Sequence, residues 1–368
     1  MRILQIINRF DSGGAEKLLL ETIPLYNSKC IHVDLLLLNG KDLPFLKVLK
    51  NLDCCTIYSL GSFSVYNPIH IFKIIPFLKR YDIVHAHLFP SQYWVVFAKL
   101  FSFSKIKIVV TEHSSSNPRI NNFFISKIDR FMYRFYQKVI CITEDVHQII
   151  KKHTKLSNTK FEVIENGINL KAIENAKPYP IKEISNLFTD QDILLIHIAR
   201  FSKHKDPQTV IKSMKFLPDN FKLIFVGDGD TKKENENLTK KLELENSIIF
   251  LGDRTDIPRL LKTANISILS SNGEGFGLTA IESMASGIPF IASDVIGLSA
   301  LVGGTGILFE KGNEIDLAFK IEKLVNDNNF RIEVVNACKL KAKQFDIELM
   351  VEKHITLYKS MYDNASFN

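Results

Sequence analysis

The chain has 368 residues, of which 46% are hydrophobic and 24% charged, and this composition excludes a disordered protein. It contains no run of 18 apolar residues that could cross a membrane, and its five cysteines show neither metal-binding nor disulfide spacing. The net charge of +7 is uneven, because residues 1–180 carry 24 Lys and Arg against 14 Asp and Glu, whereas residues 181–368 carry 23 against 26. The basic first half favours an anionic membrane as a partner, and the lack of a zinc-finger spacing or lysine-rich tail argues against nucleic acid.

Short strands and longer helices alternate along the whole sequence. Strands rich in Ile, Leu and Val are predicted in the first half at 3–7, 32–38, 83–85, 108–111, 138–142 and 162–164, and in the second half at 193–198, 222–226, 248–250, 266–269 and 289–292. Continuous apolar runs of this kind are typical of parallel strands that are buried on both faces. The pattern therefore predicts an α/β protein with two doubly wound, Rossmann-like domains.

Composition also suggests where the domains meet. The stretch 173–192 is polar and contains two prolines, so it is the predicted linker. We place residues 1–175 in the first domain and 176–346 in the second, and we expect a helix within 347–368 to join the first. Because the chain starts on a short strand rather than on a signal peptide, we expect a cytoplasmic protein.

Glycines and histidines follow the strands of the first half. Gly13 and Gly14 occupy the turn after the first strand, which is either a ligand-binding turn or a simple tight turn; the pattern is not the GxGxxG of dinucleotide sites. His87 ends another strand, and Glu112 and His113 end a third, ahead of three serines. A functional role is favoured for His113, whereas a structural role is equally open for His87. No HExxH motif or nearby cysteine suggests zinc.

The segment 122–138 has aromatic and apolar residues at helical spacing. They are interleaved with Lys127, Arg130, Arg134 and Lys138. This pattern is typical of a helix at a membrane interface and also of a helix that packs on a sheet, and packing on a sheet is the favoured interpretation. Both interpretations stay open.

Two motifs in the second half suggest a phosphorylated ligand. Arg200 and Lys205 follow the strand 193–198 and could clamp a diphosphate, although a basic turn is the alternative. Further along, the glycine-rich run 273–277 precedes a helix that should begin near Leu278, where free backbone amides attract phosphate. Glu274 and Glu282 flank this helix start, and because phosphate repels carboxylates, we expect them to bind sugar hydroxyls.

Together these motifs resemble the retaining nucleotide-sugar glycosyltransferases of the GT-B fold, in glycosyltransferase family 4. The resemblance spans nearly the whole chain and is carried by Gly-Gly-Ala-Glu at 13–16, Thr-Glu-His at 111–113, Glu-Asn-Gly-Ile-Asn at 165–169, Arg200 with Lys205, Gly-Asp-Gly at 227–229, and Glu274 with Glu282. It implies two domains that face each other across a cleft. The first would bind the acceptor and the second the nucleotide-sugar donor.

The resemblance also implies roles for single residues. Arg200 and Lys205 would neutralise the departing diphosphate, Glu274 would hold the donor sugar, and His113 would lie near that sugar. His87 and Glu112 are candidates on the acceptor side. The remaining candidates would bind the donor: Gly13 and Gly14 from the first domain, Phe276, Gly277 and Leu278 through their backbone, Glu282 at the ribose, and Arg254 near the base. Many members have glycine where this chain has Ala199 and Asp206.

The function implied is sugar transfer with retention from a nucleotide-diphosphate donor, expected to be a UDP-sugar, to a lipid-linked or polysaccharide acceptor. Such a reaction belongs to bacterial surface glycan synthesis, such as lipopolysaccharide or capsule, at the inner face of the plasma membrane. We expect no cofactor and no metal, because Arg200 and Lys205 would supply the charge that Mg²⁺ supplies elsewhere. The alternatives are a sugar-nucleotide epimerase of similar fold and a non-catalytic nucleotide-binding scaffold.

Overall fold

The structure is a computed structural model that describes residues 1–11, 13–114 and 118–363. The chain forms two units, one containing Met1–Gly167 and the chain from Ile347 onward, the other containing Ile168–Asp346. The boundary therefore lies before Ile168 and not after residue 175. The reason is that Ile173, and later Phe188, are buried in the cores of the second unit, so the predicted linker 173–192 is part of that unit.

The first unit is built on a seven-stranded sheet in which all neighbouring strands pair in parallel. Its strands are β1 (Arg2–Ile7), β2 (His32–Leu37), β3 (Ile57–Ser59), β4 (Ile83–His87), β5 (Lys107–Glu112), β6 (Lys138–Cys141) and β7 (Phe161–Val163). The order is β3-β2-β1-β4-β5-β6-β7, which reverses direction between β1 and β4. Ligands of doubly wound sheets bind outside the carboxyl ends of the strands at such a reversal.

Helices connect these strands, and the reversal of strand order implies that they cover both faces of the sheet. They are α1 (Gly14–Ser28), α2 (Pro44–Leu52), α3 (His70–Leu78), α4 (Ser91–Phe101), α5 (Phe123–Tyr133) and α6 (Glu144–Thr154). Short 3-10 turns lie at Pro118–Asn121 and Asn158–Lys160.

The second unit repeats this architecture with six parallel strands in the order β10-β9-β8-β11-β12-β13. These strands are β8 (Ile193–Ile198), β9 (Phe221–Val226), β10 (Ile248–Phe250), β11 (Ile266–Leu269), β12 (Phe290–Ser293) and β13 (Ile307–Phe309). The reversal lies between β8 and β11, so the loops that follow these two strands meet there.

The helices of the second unit are α7 (Leu170–Glu174), α8 (Ile181–Ile184), α9 (Pro207–Ser213), α10 (Lys232–Lys241), α11 (Ile257–Thr263), α12 (Leu278–Ala285), α13 (Leu298–Val302), α14 (Glu314–Asn326) and α15 (Asn328–Ala342), with 3-10 turns at Met214–Phe216 and Lys343–Phe345. The last helix, α16 (Ile347–Asp363), belongs to the first unit, where its buried Tyr358 lies against Tyr26 of α1. The rest of the predicted tail, 364–368, lies outside the described residues. Within the described ranges, no helix is long and apolar enough to span a bilayer.

The predicted α/β class with parallel sheets is confirmed, and all eleven predicted strands are present. The prediction missed β3 and β13, which have three residues each.

Candidate functional site

In the second unit, hydrogen bonds join the loop after β8 to the loop after β11. The backbone amide of Asn272 donates to the carbonyl of His204 at 2.7 Å, and its side-chain amide donates to the carbonyl of Lys203 at 2.9 Å. The Ser270 hydroxyl donates to the carboxylate of Asp206 at 3.3 Å. The basic loop and the acidic loop therefore form one continuous surface.

The ammonium group of Lys205 contacts the carboxylate of Glu274 within this surface. Both side chains are largely buried, at 23% and 10% exposure, so the pair is shielded from bulk water. Arg200 lies two residues beyond β8 and is exposed, and its guanidinium makes no hydrogen bond or ion pair with the described part of the chain. The structure thus brings the predicted acid and one predicted cation into contact, and leaves the second cation able to bind a ligand.

The backbone of Glu274 is fixed from the other side by the loop after β12. Its amide donates to the carbonyl of Ile296 at 3.2 Å. Gly297 follows with φ of +90°, and a Cβ on it would lie 2.2 Å from the Glu274 carbonyl oxygen. Glycine is therefore required here both by its conformation and by the close approach of the two backbones.

The helix α12 begins at Leu278, immediately after the loop that contains Glu274, as predicted. Its N-cap is Gly277, which has φ of +81° and no side chain over the helix end. The amides of the first turn have no partners within a helix, so they and the positive end of the helix dipole suit an anion. Phe276 packs edge-on against Phe345 at 5.8 Å between ring centroids, and Glu282 is buried one turn into the helix.

The loop after β8 packs closely on two glycines and contains Asp206, one of the two departures from the family pattern. Gly227 and Gly229 pack so closely on the loop after β8 that a Cβ on either would lie 2.2 Å from the carbonyl oxygen of Ala199 or Phe201, respectively. Asp206 adopts a left-handed conformation with φ of 38°, which explains why glycine suits this position. Its carboxylate accepts a hydrogen bond from Thr209 at 2.6 Å, which helps to hold the strained residue.

The side chain of Arg254 is engaged by a neighbour. Its Nε donates to Asp256 at 2.8 Å, and the Tyr179 hydroxyl donates to the same carboxylate. These bonds, chiefly those from Arg254, lower the pKa of Asp256 to about 2. The guanidinium is therefore engaged by Asp256. The predicted contact with the nucleotide base would have to be made by the backbone near Arg254.

In the first unit, His87 and His113 are hydrogen-bonded to each other at the carboxyl ends of β4 and β5. Nδ1 of His87 lies 3.0 Å from Nε2 of His113, and Nε2 of His87 lies 2.7 Å from the amide oxygen of Gln5. Burial lowers the pKa of His87 well below its ordinary value, and burial together with nearby His354 lowers that of His113 to about 4. Both imidazoles are therefore neutral at physiological pH. Of the three serines after His113, Ser115 and Ser116 lie outside the described residues.

The predicted glycine turn forms the start of α1. Gly13 is the N-cap and Gly14 the first helical residue. The buried carboxylate of Glu16 fills the space beside the turn, since a Cβ on Gly13 would lie 2.3 Å from its Oε2. Burial raises the pKa of Glu16 to about 7. Sequence reasoning missed this acid, although it belongs to the Gly-Gly-Ala-Glu motif itself.

Glu112 lies inside the first unit. Its carboxylate accepts hydrogen bonds from Tyr133 and from Gln92, and Arg119 lies 3.8 Å away. Arg119 also lies 3.6 Å from the fully buried Asp129. Glu112 is thus one of two buried carboxylates around a single guanidinium. This network was not predicted, because its members are far apart in sequence.

Two family models match the chain. One, described as Glycosyltransferase Family 4, matches residues 12–172, and the other, described as Glycosyl transferases group 1, matches residues 180–344. Both halves of the molecule therefore match glycosyltransferases.

Individual relatives agree with the family models. The chain is 28% identical to the N-acetyl-alpha-D-glucosaminyl L-malate synthase of Bacillus anthracis, over 75% of this chain and 74% of that protein. It is 26% identical to the N-acetylgalactosamine-N,N'-diacetylbacillosaminyl-diphospho-undecaprenol 4-alpha-N-acetylgalactosaminyltransferase of Campylobacter jejuni, over 91% and 93%. The crystal structure of Anabaena HepE in complex with UDP-glucose is similar in fold, with a TM-score of 0.81 and 22% identity over 98% of this chain and 100% of that one. The chain therefore belongs to the glycosyltransferases, with a family 4 first half and a group 1 second half on a GT-B fold.

Proposed function

We propose that this glycosyltransferase transfers a sugar from a UDP-sugar, with retention and without a metal ion, to a lipid-linked or polysaccharide acceptor at the cytoplasmic face of a bacterial membrane. The observation that carries the proposal is the contact between Lys205 and Glu274. In a nucleotide sugar, the hydroxyls of the sugar adjoin the diphosphate. A site that binds both must therefore place an acid for hydroxyls beside a cation for phosphate.

The same contact suggests how the donor is bound. Without ligand, Lys205 and Glu274 satisfy each other's charge. A donor would replace this pair with two kinds of contact, phosphate oxygens on Lys205 and sugar hydroxyls on Glu274. Glu282, buried on α12, would take the ribose, and the backbone of 276–278 would take sugar and phosphate.

Catalysis would be electrostatic. Negative charge develops on the diphosphate as the bond to the sugar breaks, and Arg200, Lys205 and the start of α12 would stabilise it where it forms. Removing one such fixed charge costs about 3 kcal/mol, or roughly a hundredfold in rate. With Glu274 assigned to hydroxyls, we propose that the acceptor attacks from the side that the diphosphate leaves. His113 would contact the transferred sugar.

The names of the relatives support the choice of donor and acceptor. HepE has been crystallised with UDP-glucose, and the Campylobacter enzyme is named for an undecaprenol-diphosphate acceptor. An acceptor with a long isoprenoid chain requires that the enzyme work at a membrane surface.

The helix α5 supports contact with a membrane because it buries polar side chains and exposes apolar ones. The side chains it buries are Ser126, Asp129, Met132 and Tyr133, and the apolar side chains it exposes are Phe123, Phe124, Ile125, Ile128 and Phe131. Phe123 and Phe124 are 68% and 76% exposed, so core packing does not explain them. Exposed aromatic residues among Lys127, Arg130 and Arg134 are what an interfacial helix presents to lipid.

The net charge of the sequence around α5 indicates the charge of the lipid that this surface would bind. Residues 54–143 contain eleven Lys and Arg but only three Asp and Glu. Two of these acids, Glu112 and Asp129, are buried. The surface of this region is therefore strongly basic, which favours an anionic bilayer.

A transfer assay tests the proposed reaction. The protein would be incubated with a panel of UDP-sugars, with and without an undecaprenyl-diphosphate-linked saccharide in anionic nanodiscs. We expect acceptor-dependent release of UDP and a product whose anomeric configuration, read by NMR, equals that of the donor. Isomerised donor formed without acceptor would instead establish the epimerase alternative, and an inverted product would contradict retention.

A further inference from the structure

His113 is the last member of a line of hydrogen bonds that starts at Gln5. The amide oxygen of Gln5 lies 2.7 Å from Nε2 of His87, and Nδ1 of His87 lies 3.0 Å from Nε2 of His113. Gln5 and His87 are 1% and 5% exposed, so both are shielded from water. Nδ1 of His113 has no hydrogen-bond partner within the described residues.

The chemistry of these groups gives the line a direction. A carbonyl oxygen only accepts, so Nε2 of His87 must carry the hydrogen that it shares with Gln5. A neutral imidazole has one such hydrogen, which leaves Nδ1 of His87 as an acceptor. Nε2 of His113 must therefore donate to it, and Nδ1 of His113 is left without a hydrogen.

The Gln5 amide also belongs to a second branch of hydrogen bonds. Its nitrogen lies 3.4 Å from the hydroxyl oxygen of Tyr358 on α16, and that hydroxyl lies 2.6 Å from Nδ1 of His85. Nε2 of His85 lies 2.7 Å from the Thr111 hydroxyl. With the amide nitrogen donating to Tyr358, the tyrosine donates to His85 and His85 donates to Thr111. The branch is therefore consistent with the oxygen of Gln5 facing His87, as it does in the structure.

We propose that Gln5 and His87 are positioning residues that hold His113 as the tautomer protonated on Nε2, so that its Nδ1 accepts a hydrogen bond from a hydroxyl of the bound sugar. This rests on the proposed function for the sugar contact, but the tautomer itself does not. A bare Nδ1 cannot donate to a phosphate oxygen, so His113 would select the hydroxyl-bearing part of the donor.

The surroundings keep the rings neutral. Burial lowers the pKa of His85 and His87 well below their ordinary values and that of His354 to about 4. A cavity of about 30 Å³ lies among these histidines, Thr22 of α1 and Asn166. It can hold water but not a bulky ion, and it leaves the hydrogen-bonded line intact.

The tautomer can be read directly by NMR of protein labelled with ¹⁵N-histidine. Two-bond ¹⁵N–¹H correlations distinguish imidazole protonated on Nε2 from imidazole protonated on Nδ1, and the His113→Gln variant identifies the signal of His113 among the ten histidines. We expect the Nε2-protonated form in the wild type. A wild-type ring protonated on Nδ1 overturns the proposal, whether or not the enzyme transfers sugar.

Variants at Gln5 test how the tautomer is set. Gln5→Met keeps the length of the side chain but removes the accepting oxygen, so we expect a mixture of His113 tautomers and a kcat about tenfold lower. Thr22→Val, in the same cavity but outside the line, should change neither. An unchanged tautomer in Gln5→Met contradicts the positioning role.

Ligand titrations separate this proposal from the proposed function. Once the assay has identified a donor sugar, that UDP-sugar should shift the Nδ1 resonance of His113, and UDP alone should not. If UDP shifts it equally, the sugar contact is wrong. If no UDP-sugar is transferred while the tautomer pattern of the variants holds, the proposed function fails and the positioning of His113 by Gln5 and His87 stands.

Discussion

A side chain on Gly297 would lie 2.2 Å from the carbonyl oxygen of Glu274, closer than any non-bonded carbon can approach. Gly297 also has φ of +90°, which disfavours other residues. The loop after β12 thus sets the position of the acid that we assign to the donor sugar.

We therefore expect Gly297→Ala to displace Glu274 and to weaken binding of the UDP-sugar at least tenfold in calorimetry, with little change for UDP. Gly304→Ala is the matched control, because Gly304 has φ of +77° but open space around its Cβ position. It carries a similar backbone strain without the clash. Equal effects of the two variants on sugar binding would show that strain, and not the position of Glu274, is responsible.

Removing the guanidinium of Arg119 should destabilise the first unit. Arg119→Met removes the guanidinium that the buried carboxylates of Glu112 and Asp129 share, although Asp129 keeps its contact with His153, and we expect a cost of about 3 kcal/mol. Urea unfolding followed by the fluorescence of Trp94, the single tryptophan, reports on this unit. Arg130→Met, an exposed change on α5, should stay within about 0.5 kcal/mol of wild type. A similarly small effect of Arg119→Met would mean that the network contributes nothing to stability.

The buried histidines should make the first unit sensitive to acid. The pKa of His354 falls from an ordinary value near 6.5 to about 4 because its ring is buried beside Tyr26, His85 and Tyr358. Between these two pH values the unfolded chain binds a proton that the folded chain does not. The stability is therefore complete above pH 6.5 and falls as the pH is lowered towards 4, by about 1.4 kcal/mol per pH unit for one such group.

The variant His354→Gln removes this titrating group. We expect the loss of stability between pH 6.5 and 5 to become smaller by roughly one proton's contribution, measured by urea unfolding at a series of pH values with Trp94 as the probe. An identical pH slope in wild type and His354→Gln would contradict the prediction.

Membrane binding should depend on the exposed phenylalanines of α5. Phe123→Ser with Phe124→Ser should lower binding to anionic phosphatidylglycerol vesicles at least tenfold in a flotation assay, because two aromatic side chains no longer enter the interface. Phe319→Ser is the control, since Phe319 on α14 of the second unit is 60% exposed. Binding should also weaken with added salt and on neutral vesicles. Wild-type protein that floats with neither lipid would contradict the membrane contact.

Much of the fold could be predicted because parallel strands that are buried on both faces consist of continuous apolar runs in the sequence. Eleven strands were recognisable in this way, whereas β3, with half-buried Ile57 and Tyr58, gave no such signal. The start of α12 was predictable from glycines and the helix that follows. The boundary at Gly167 was not, since a polar segment with prolines can pack on a domain as well as link two.

The candidate site was only partly predictable. The residue types of Lys205 and Glu274 were informative, but their contact depends on how two loops 69 residues apart fold together. The direction of the bonds from Gln5 to His113 likewise requires three strands to be placed side by side. For α5, the sequence left two interpretations open. The structure favours membrane contact over core packing, because Asp129 is buried and Phe124 is exposed.

The central claim is that Lys205 binds diphosphate while Glu274 binds sugar, and calorimetry with UDP and with the donor UDP-sugar tests it most directly. Lys205→Ala should weaken both ligands at least tenfold, since it removes a charge-assisted bond to phosphate, whereas Lys203→Ala on the same loop should weaken neither. Glu274→Gln should weaken only the UDP-sugar, about tenfold, and should leave UDP unchanged or bound more tightly, because Lys205 is released from its partner. If Glu274→Gln weakens UDP and UDP-sugar equally, or if Lys205→Ala affects neither, the assignment of this pair to the donor is wrong.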